Sequence, residues 1–169
     1  MRRTRAFAIL PMLSTAWLFT WLFVPVARAS AGDLDPTFHG DGKLLADVRR
    51  GSENAGAVAV QSDGKIVVTI AQGGDFVVLR YDMGGALDAS FDGDGMVVTD
   101  FGEPFEDANA IAIQRDGKIV VGGSAGCGSF ALARYNIDGS LDPSFDGDGK
   151  VLTDFGGCDI INALAIQAD

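Results

Sequence analysis

Histidine is almost missing from this chain of 169 residues, His39 being the single one, and cysteine is limited to Cys127 and Cys158. That scarcity removes most ways of building a catalytic or metal centre. No Ser/His/Asp set, paired zinc-ligand motif or phosphate-binding glycine loop is present. Carboxylates are numerous but not placed by sequence, and they leave a carboxylate-only hydrolase open. Positive charge is scarce as well: 13 Lys and Arg stand against 23 Asp and Glu, a net charge of −10.

Four of those basic residues belong to a segment unlike the rest. Arg2, Arg3 and Arg5 precede a mostly apolar run from Ala6 to Val26, and Ala27, Ala29 and Ala31 then supply the small side chains that signal peptidase accepts. Residues 1–31 therefore read as a signal peptide cleaved after Ala29 or Ala31, and the protein as secreted or held in the cell envelope. An uncleaved anchor is the alternative, because the run is near the roughly 20 residues that span a bilayer, although Pro11 and Pro25 interrupt it. The residues after Arg2-Arg3 do not support the twin-arginine route, and no cysteine near the cleavage site offers a lipid anchor. Loss of Arg2, Arg3, Arg5 and Arg28 leaves 9 basic against 23 acidic side chains, a mature net charge of −14. Such a surface repels phosphate backbones and anionic membranes, so neither nucleic acid nor, for the mature form, a membrane is an expected partner.

What the mature chain has in plenty is repetition. Leu34-Asp35-Pro36-Thr37-Phe38 returns as Leu87-Asp88-Ala89-Ser90-Phe91 and as Leu141-Asp142-Pro143-Ser144-Phe145, at steps of 53 and 54 residues. Asp41-Gly42 returns as Asp94-Gly95 and Asp148-Gly149, and the run from Gln61 to Val68 returns from Gln114 to Val121. The period divides the chain into repeat 1 at 33–86, repeat 2 at 87–140 and an incomplete repeat 3 at 141–169, of whose last block only Gln167-Ala168-Asp169 is present. The expectation is a truncated product, or a chain whose open sheet edges are covered by self-association.

Each repeat reads as short strands between turn residues. In repeat 2 these are Met96 to Phe101, Ala110 to Gln114, Lys118 to Gly122 and Phe130 to Tyr135, with Asp116-Gly117 suited to a type I′ turn. A four-stranded antiparallel meander is predicted. Ile111 and Ile113 oppose Ala110 and Ala112, and Phe130 and Leu132 oppose Ala131 and Ala133, so neither face is polar. Sheets with two apolar faces must stack on neighbours, as propeller blades do.

The motifs L-D-P-S-F-x-G-D-G-K-V, N-A-x-A-x-Q-x-D-G-K-I-V-V and F-A-L-A-R-Y-N-x-D-G-S, in this order and at this period, make the segment from Asp33 to Asp169 resemble the delta-60 repeat family of bacterial exported proteins. The resemblance implies a β-propeller and no established reaction, ligand or cofactor. Repeat 1 departs from the pattern at His39, where the others carry Asp92 and Asp146, and across Val48 to Gly51.

Few residues invite a chemical reading. The Asp-Gly-Asp-Gly runs bring Asp92, Asp94, Asp146 and Asp148 close in sequence, as calcium loops do, but they fit neither an EF-hand nor a β-roll and are also ordinary turn residues. Arg80 and Arg134 recur on one strand face with Phe76 and Phe130, suiting either a ligand channel or a buried pair with Asp100 or Asp154. Cys127 and Cys158 fall in loops expected at one end of adjacent blades and form a candidate disulfide.

The sequence thus points to an all-β chain of repeated four-stranded antiparallel meanders, a partial β-propeller of about two and a half blades behind a signal peptide. The expected function is a noncatalytic extracellular or cell-envelope module, structural or binding an unknown protein or glycan, without metal or cofactor. The alternative is part of a propeller enzyme, of hydrolase or lyase type, whose site needs further blades.

Overall fold

The computed structural model describes residues 31–46, 48, 54–70 and 74–167. Apart from Ala31, the signal-peptide assignment lies outside the described residues. Eight strands are formed: β1 (Ala55–Val60), β2 (Ile66–Ile70), β3 (Phe76–Tyr81), β4 (Met96–Thr99), β5 (Glu106–Ile113), β6 (Ile119–Ala125), β7 (Ser129–Tyr135) and β8 (Lys150–Asp154). They make two four-stranded sheets, β1-β2-β3-β4 and β5-β6-β7-β8, antiparallel throughout. No helix is present among the described residues.

The sheets are out of phase with the repeats by one strand. Met96–Thr99 does not open the sheet of its own repeat; it closes the preceding one, pairing with β3 from Phe76↔Thr99 to Leu79↔Met96. The cause lies in the connection between them. The Arg80 amide donates to the Gly95 carbonyl, the Asp88 amide donates to the Arg80 carbonyl, and Tyr81 bridges to Leu87, so the long β3–β4 loop folds back on β3. Residues 100–105 then cross to the next sheet. Repeat 2 therefore contributes to both sheets, and β8 of repeat 3 closes the second, which ties consecutive repeats together.

Two further details differ from the sequence reading. β5 begins at Glu106 rather than Ala110, because Glu106, Asp107 and Ala108 find partners in Ala125, Ser124 and Gly123. Pairing outweighs the low strand propensity of the acidic residues. The β1–β2 and β5–β6 turns are not type I′: Asp63 and Asp116 keep negative φ, whereas Gly64 and Gly117 take φ of 84° and 86°. Gly64 N–H donates to the Gln61 carbonyl and Gln61 N–H to the Lys65 carbonyl, a tight turn followed by a left-handed glycine.

The main core lies between the sheets. Val67, Phe76, Val78 and Val97 of the first meet Ala108, Ile119, Val121 and Ala133 of the second, with Phe91 and Tyr135 completing the layer. Hydrogen bonds cross the junction: Thr69 Oγ1 donates to the Ala108 carbonyl (2.9 Å), the Thr99 and Tyr135 hydroxyls bond each other (2.7 Å), and Asp92 N–H donates to the Asp138 carbonyl (2.7 Å). Gly56 lies so close to the Ala108 carbonyl that a Cβ there would collide with it. The opposite face of the first sheet, with Val77, Leu79 and Tyr81, is covered in part by Leu44 and Val48 of repeat 1. His39 N–H donates to the Gly84 carbonyl there, the counterpart of the Asp92–Asp138 bond, so repeat 1 docks on the first sheet as that sheet docks on the second. One face of the sheet is thus packed and the other partly covered, with Val58, Val60 and Val98 left exposed.

After β8 the chain runs along the far face of the second sheet. Ile161 N–H donates to the Gly123 carbonyl, and Ile161 and Leu164 meet Gly122. Asn162 to Gln167 matches the sequence of β5, yet no strand pairs with it among the described residues. Strand-forming side chains without a ladder partner do not make a strand.

Candidate functional site

The repeated polar residues are consumed by structure. Arg80, 1% exposed, donates from Nε to Asp88 Oδ2 (2.7 Å), from Nη2 to Ser90 Oγ (3.0 Å) and from Nη1 to the Ile137 carbonyl (2.5 Å), and its guanidinium lies 4.5 Å from the Phe91 ring centre. Lys65 adds a second contact to Asp88 at 2.9 Å. Arg134 repeats the arrangement with Asp142, Ser144, Phe145 and Lys118. The acid expected opposite each arginine is present, but it is Asp88 or Asp142 rather than Asp100 or Asp154. The folding back of the β3–β4 and β7–β8 loops brings the Leu-Asp motif to the arginine, whereas the Asp-Phe-Gly turn points to the other end of the sheet. Burial would raise the Asp88 carboxyl, but hydrogen bonds from Ser90 and Lys65 and the charge of Arg80 hold it well below the usual carboxylate range. Hydrogen bonds from Lys118 and Ser144 do the same for Asp142.

The Asp-Gly-Asp-Gly runs serve as turns. Asp94 Oδ1 accepts from Met96 N–H (2.8 Å) and Asp148 Oδ1 from Lys150 N–H (2.8 Å), while Asp92 and Asp146 hold left-handed backbone with φ of 52° and 53°. His39 takes the same backbone, φ 48°, so the substitution in repeat 1 keeps the turn. None of these four aspartates belongs to a convergent group of ligands among the described residues. His39 also borders a largely apolar groove of about 470 Å³ between repeat 1 and the first sheet, with Leu44, Leu79, Tyr81 and Met96 in its walls.

The connections of the two complete sheets keep their length at one end and change it at the other. The β1–β2 and β5–β6 turns share Gln-x-Asp-Gly-Lys, and the β3–β4 and β7–β8 loops share Leu-Asp-x-Ser-Phe-Asp-Gly-Asp-Gly. At the opposite end, Gly74-Asp75 before β3 stands against Gly128-Ser129 at the start of β7, and Glu103-Pro104-Phe105-Glu106 against Gly157-Cys158-Asp159. This variable end carries the exposed rings of Phe105 and of Phe155, the latter in the recurring Asp-Phe-Gly turn. Sequence reasoning passed over it because a difference between copies looks like drift until the topology shows which loops share an end.

Two features stand out there. Cys127 and Cys158 are exposed, free thiols. They flank Gly128 and Gly157, whose backbones touch. The two loops meet as expected, but both border the second sheet rather than adjacent blades, because β8 closes that sheet beside β7.

The second feature is an acidic group that no motif marked. Asp75, Asp100 and Glu106 each bring a carboxylate oxygen within 4.8 Å of the others. Glu106 is fully buried; its Oε1 accepts from Phe101 N–H (2.8 Å) and Glu103 N–H (3.1 Å), and its Oε2 is buried without a hydrogen-bond partner. Burial pushes the Glu106 carboxyl up, opposed by those two amide donors, and the charges of Asp100 and Asp75 add to the rise. Asp100 follows β4 and caps Gly102 N–H (2.6 Å).

The sequences of the segments 61–91 and 114–145 match a family model described as "Domain of unknown function (DUF5122) beta-propeller". Each matched segment runs from an Asp-Gly turn through two strands to the Leu-Asp loop that holds the arginine. No curated protein and no solved structure matches the chain. Over these segments the chain is similar to a β-propeller repeat family, and its two stacked four-stranded sheets agree with a partial propeller.

Proposed function

We propose that the chain is a noncatalytic β-propeller module of the delta-60 type, exported to the cell exterior or envelope, that binds a protein or glycan through the variable end of its sheets. One observation carries this reading: the connections at one end keep their length and their long motifs from copy to copy, whereas those at the other end change in both length and sequence. Binding sites are built on loops held by a rigid frame, and it is in such loops that length and sequence vary. Phe105 and Phe155 add exposed apolar rings of the kind that anchor recognition. The strong negative charge of the mature chain favours neutral or basic partners.

The test is binding of the full chain to an array of cell-envelope glycans and to a panel of exported proteins. The expected result is a specific signal that Phe105→Ala with Phe155→Ala abolishes and that Ile137→Ala, at the opposite end of the sheets, leaves intact. A signal lost equally in both variants, or none on either panel, would contradict the proposal.

A further inference from the structure

We infer that Asp75, Asp100 and Glu106 form a calcium site at the junction of the two sheets. Three carboxylate oxygens within 4.8 Å of one another are close enough to converge on one hard cation, and ligands drawn from separate segments suit the flexible coordination of calcium better than the near-ideal octahedron that magnesium demands. Hard carboxylate oxygens on three separate segments, the β2–β3 loop, the end of β4 and the start of β5, are the donors calcium takes.

Acidic groups often gather without a metal, and the decisive observation is Glu106. Its carboxylate is taken out of water entirely, and one oxygen is left with no donor. A buried unpaired carboxylate oxygen is costly, and native structures rarely tolerate one without an ion or water to meet it. Asp75 and Asp100 deepen the cost. They sit one residue beyond the Phe76↔Thr99 pair, which places two like charges opposite each other across β3 and β4. Among the described residues no lysine or arginine pairs with the carboxylate of Asp100 or Glu106. Lys150 reaches the same turn but donates to the Asp100 carbonyl (3.1 Å) and lies over the Phe101 ring.

The next repeat shows what happens when the set is incomplete. Asp154 and Asp159 stand where Asp100 and Glu106 do, and Asp159 accepts from Phe155 N–H as Glu106 does from Phe101 N–H. The position of Asp75 is taken by Ser129, paired with Asp154. One site is therefore expected, not two. Because the ligands come from both sheets, calcium would clamp the variable loops across the junction; the inference stands independently of what those loops bind.

Thermal unfolding of the full chain, after chelation and then with calcium or magnesium added, tests it. Millimolar calcium is expected to raise Tm by several degrees, magnesium at the same concentration by much less. The rise should vanish in Asp100→Asn, whose amide oxygen still caps Gly102, and in Glu106→Gln, and persist in Asp154→Asn. Should Glu106→Gln fail to fold, Asp75→Asn replaces it. No shift with calcium, an equal shift with magnesium, or a shift that survives Asp100→Asn would overturn the assignment.

Discussion

Arg80 and Arg134 are the same residue of consecutive repeats, and they differ in burial: 1% against 18% of the side chain is exposed. The second sheet covers Arg80 and supplies the Ile137 carbonyl; nothing described covers Arg134 to that degree. Removing one partner of a buried charge pair leaves the other uncompensated, so Arg80→Ala is expected to cost about 3–5 kcal/mol, and Arg134→Ala less than half as much. Urea unfolding of the two variants checks the ratio. The acids of these pairs set the acid limit of the protein. Asp88 and Asp142 have folded-state affinities for protons lowered below the unfolded value near 3.8. A depressed carboxyl stabilises the fold at every pH above its unfolded pKa and loses that contribution as pH falls further. Stability should therefore be flat from neutral down to about pH 5 and decline below about pH 4, as a pH series of denaturant midpoints would show; a midpoint unchanged at pH 3 would contradict these pairings. That a recurrent arginine must meet a recurrent acid was legible in the sequence. Which acid was not, because the choice depends on how the β3–β4 loop folds back.

At the scale of the strand, β1 and β5 approach each other across the junction only because Gly56 has no side chain. Gly56→Ala puts a methyl group against the Ala108 carbonyl and should cost about 1–3 kcal/mol through overpacking. Melting of the variant measures it. Alternation of small and bulky apolar residues announced β5 and β7 in the sequence. It failed at two places for one reason. β5 runs back to Glu106, and Asn162–Gln167 does not become a strand, because each outcome depends on a ladder partner that local sequence does not name. The touching backbones of Gly128 and Gly157 bear on the cysteines. Mild oxidation of the full chain should join Cys127 to Cys158 within one molecule, and intact-mass analysis would register the loss of two hydrogens without a dimer; a disulfide-linked dimer alone would contradict the proposed pairing.

For the molecule as a whole, the repeat was visible in the sequence and the interlock was not. A fixed period of Leu-Asp and Asp-Gly motifs indicates stacked units, but the phase between repeat and sheet emerges only when β4 is seen to close the sheet before it. That strand exchange, with the shared core and the Thr69, Thr99 and Arg80 hydrogen bonds, makes the two sheets depend on each other. The acidic site belongs to the same level: Asp75, Asp100 and Glu106 come from three segments, and no spacing rule unites them. Units that lean on their neighbours should open together when the junction is weakened. Native-state hydrogen exchange of the full chain and of Arg80→Ala measures this directly. The interlocked fold predicts that protection falls in β6 and β7 as well as in β2 and β3. Loss confined to the first sheet, with the second exchanging as before, would contradict it.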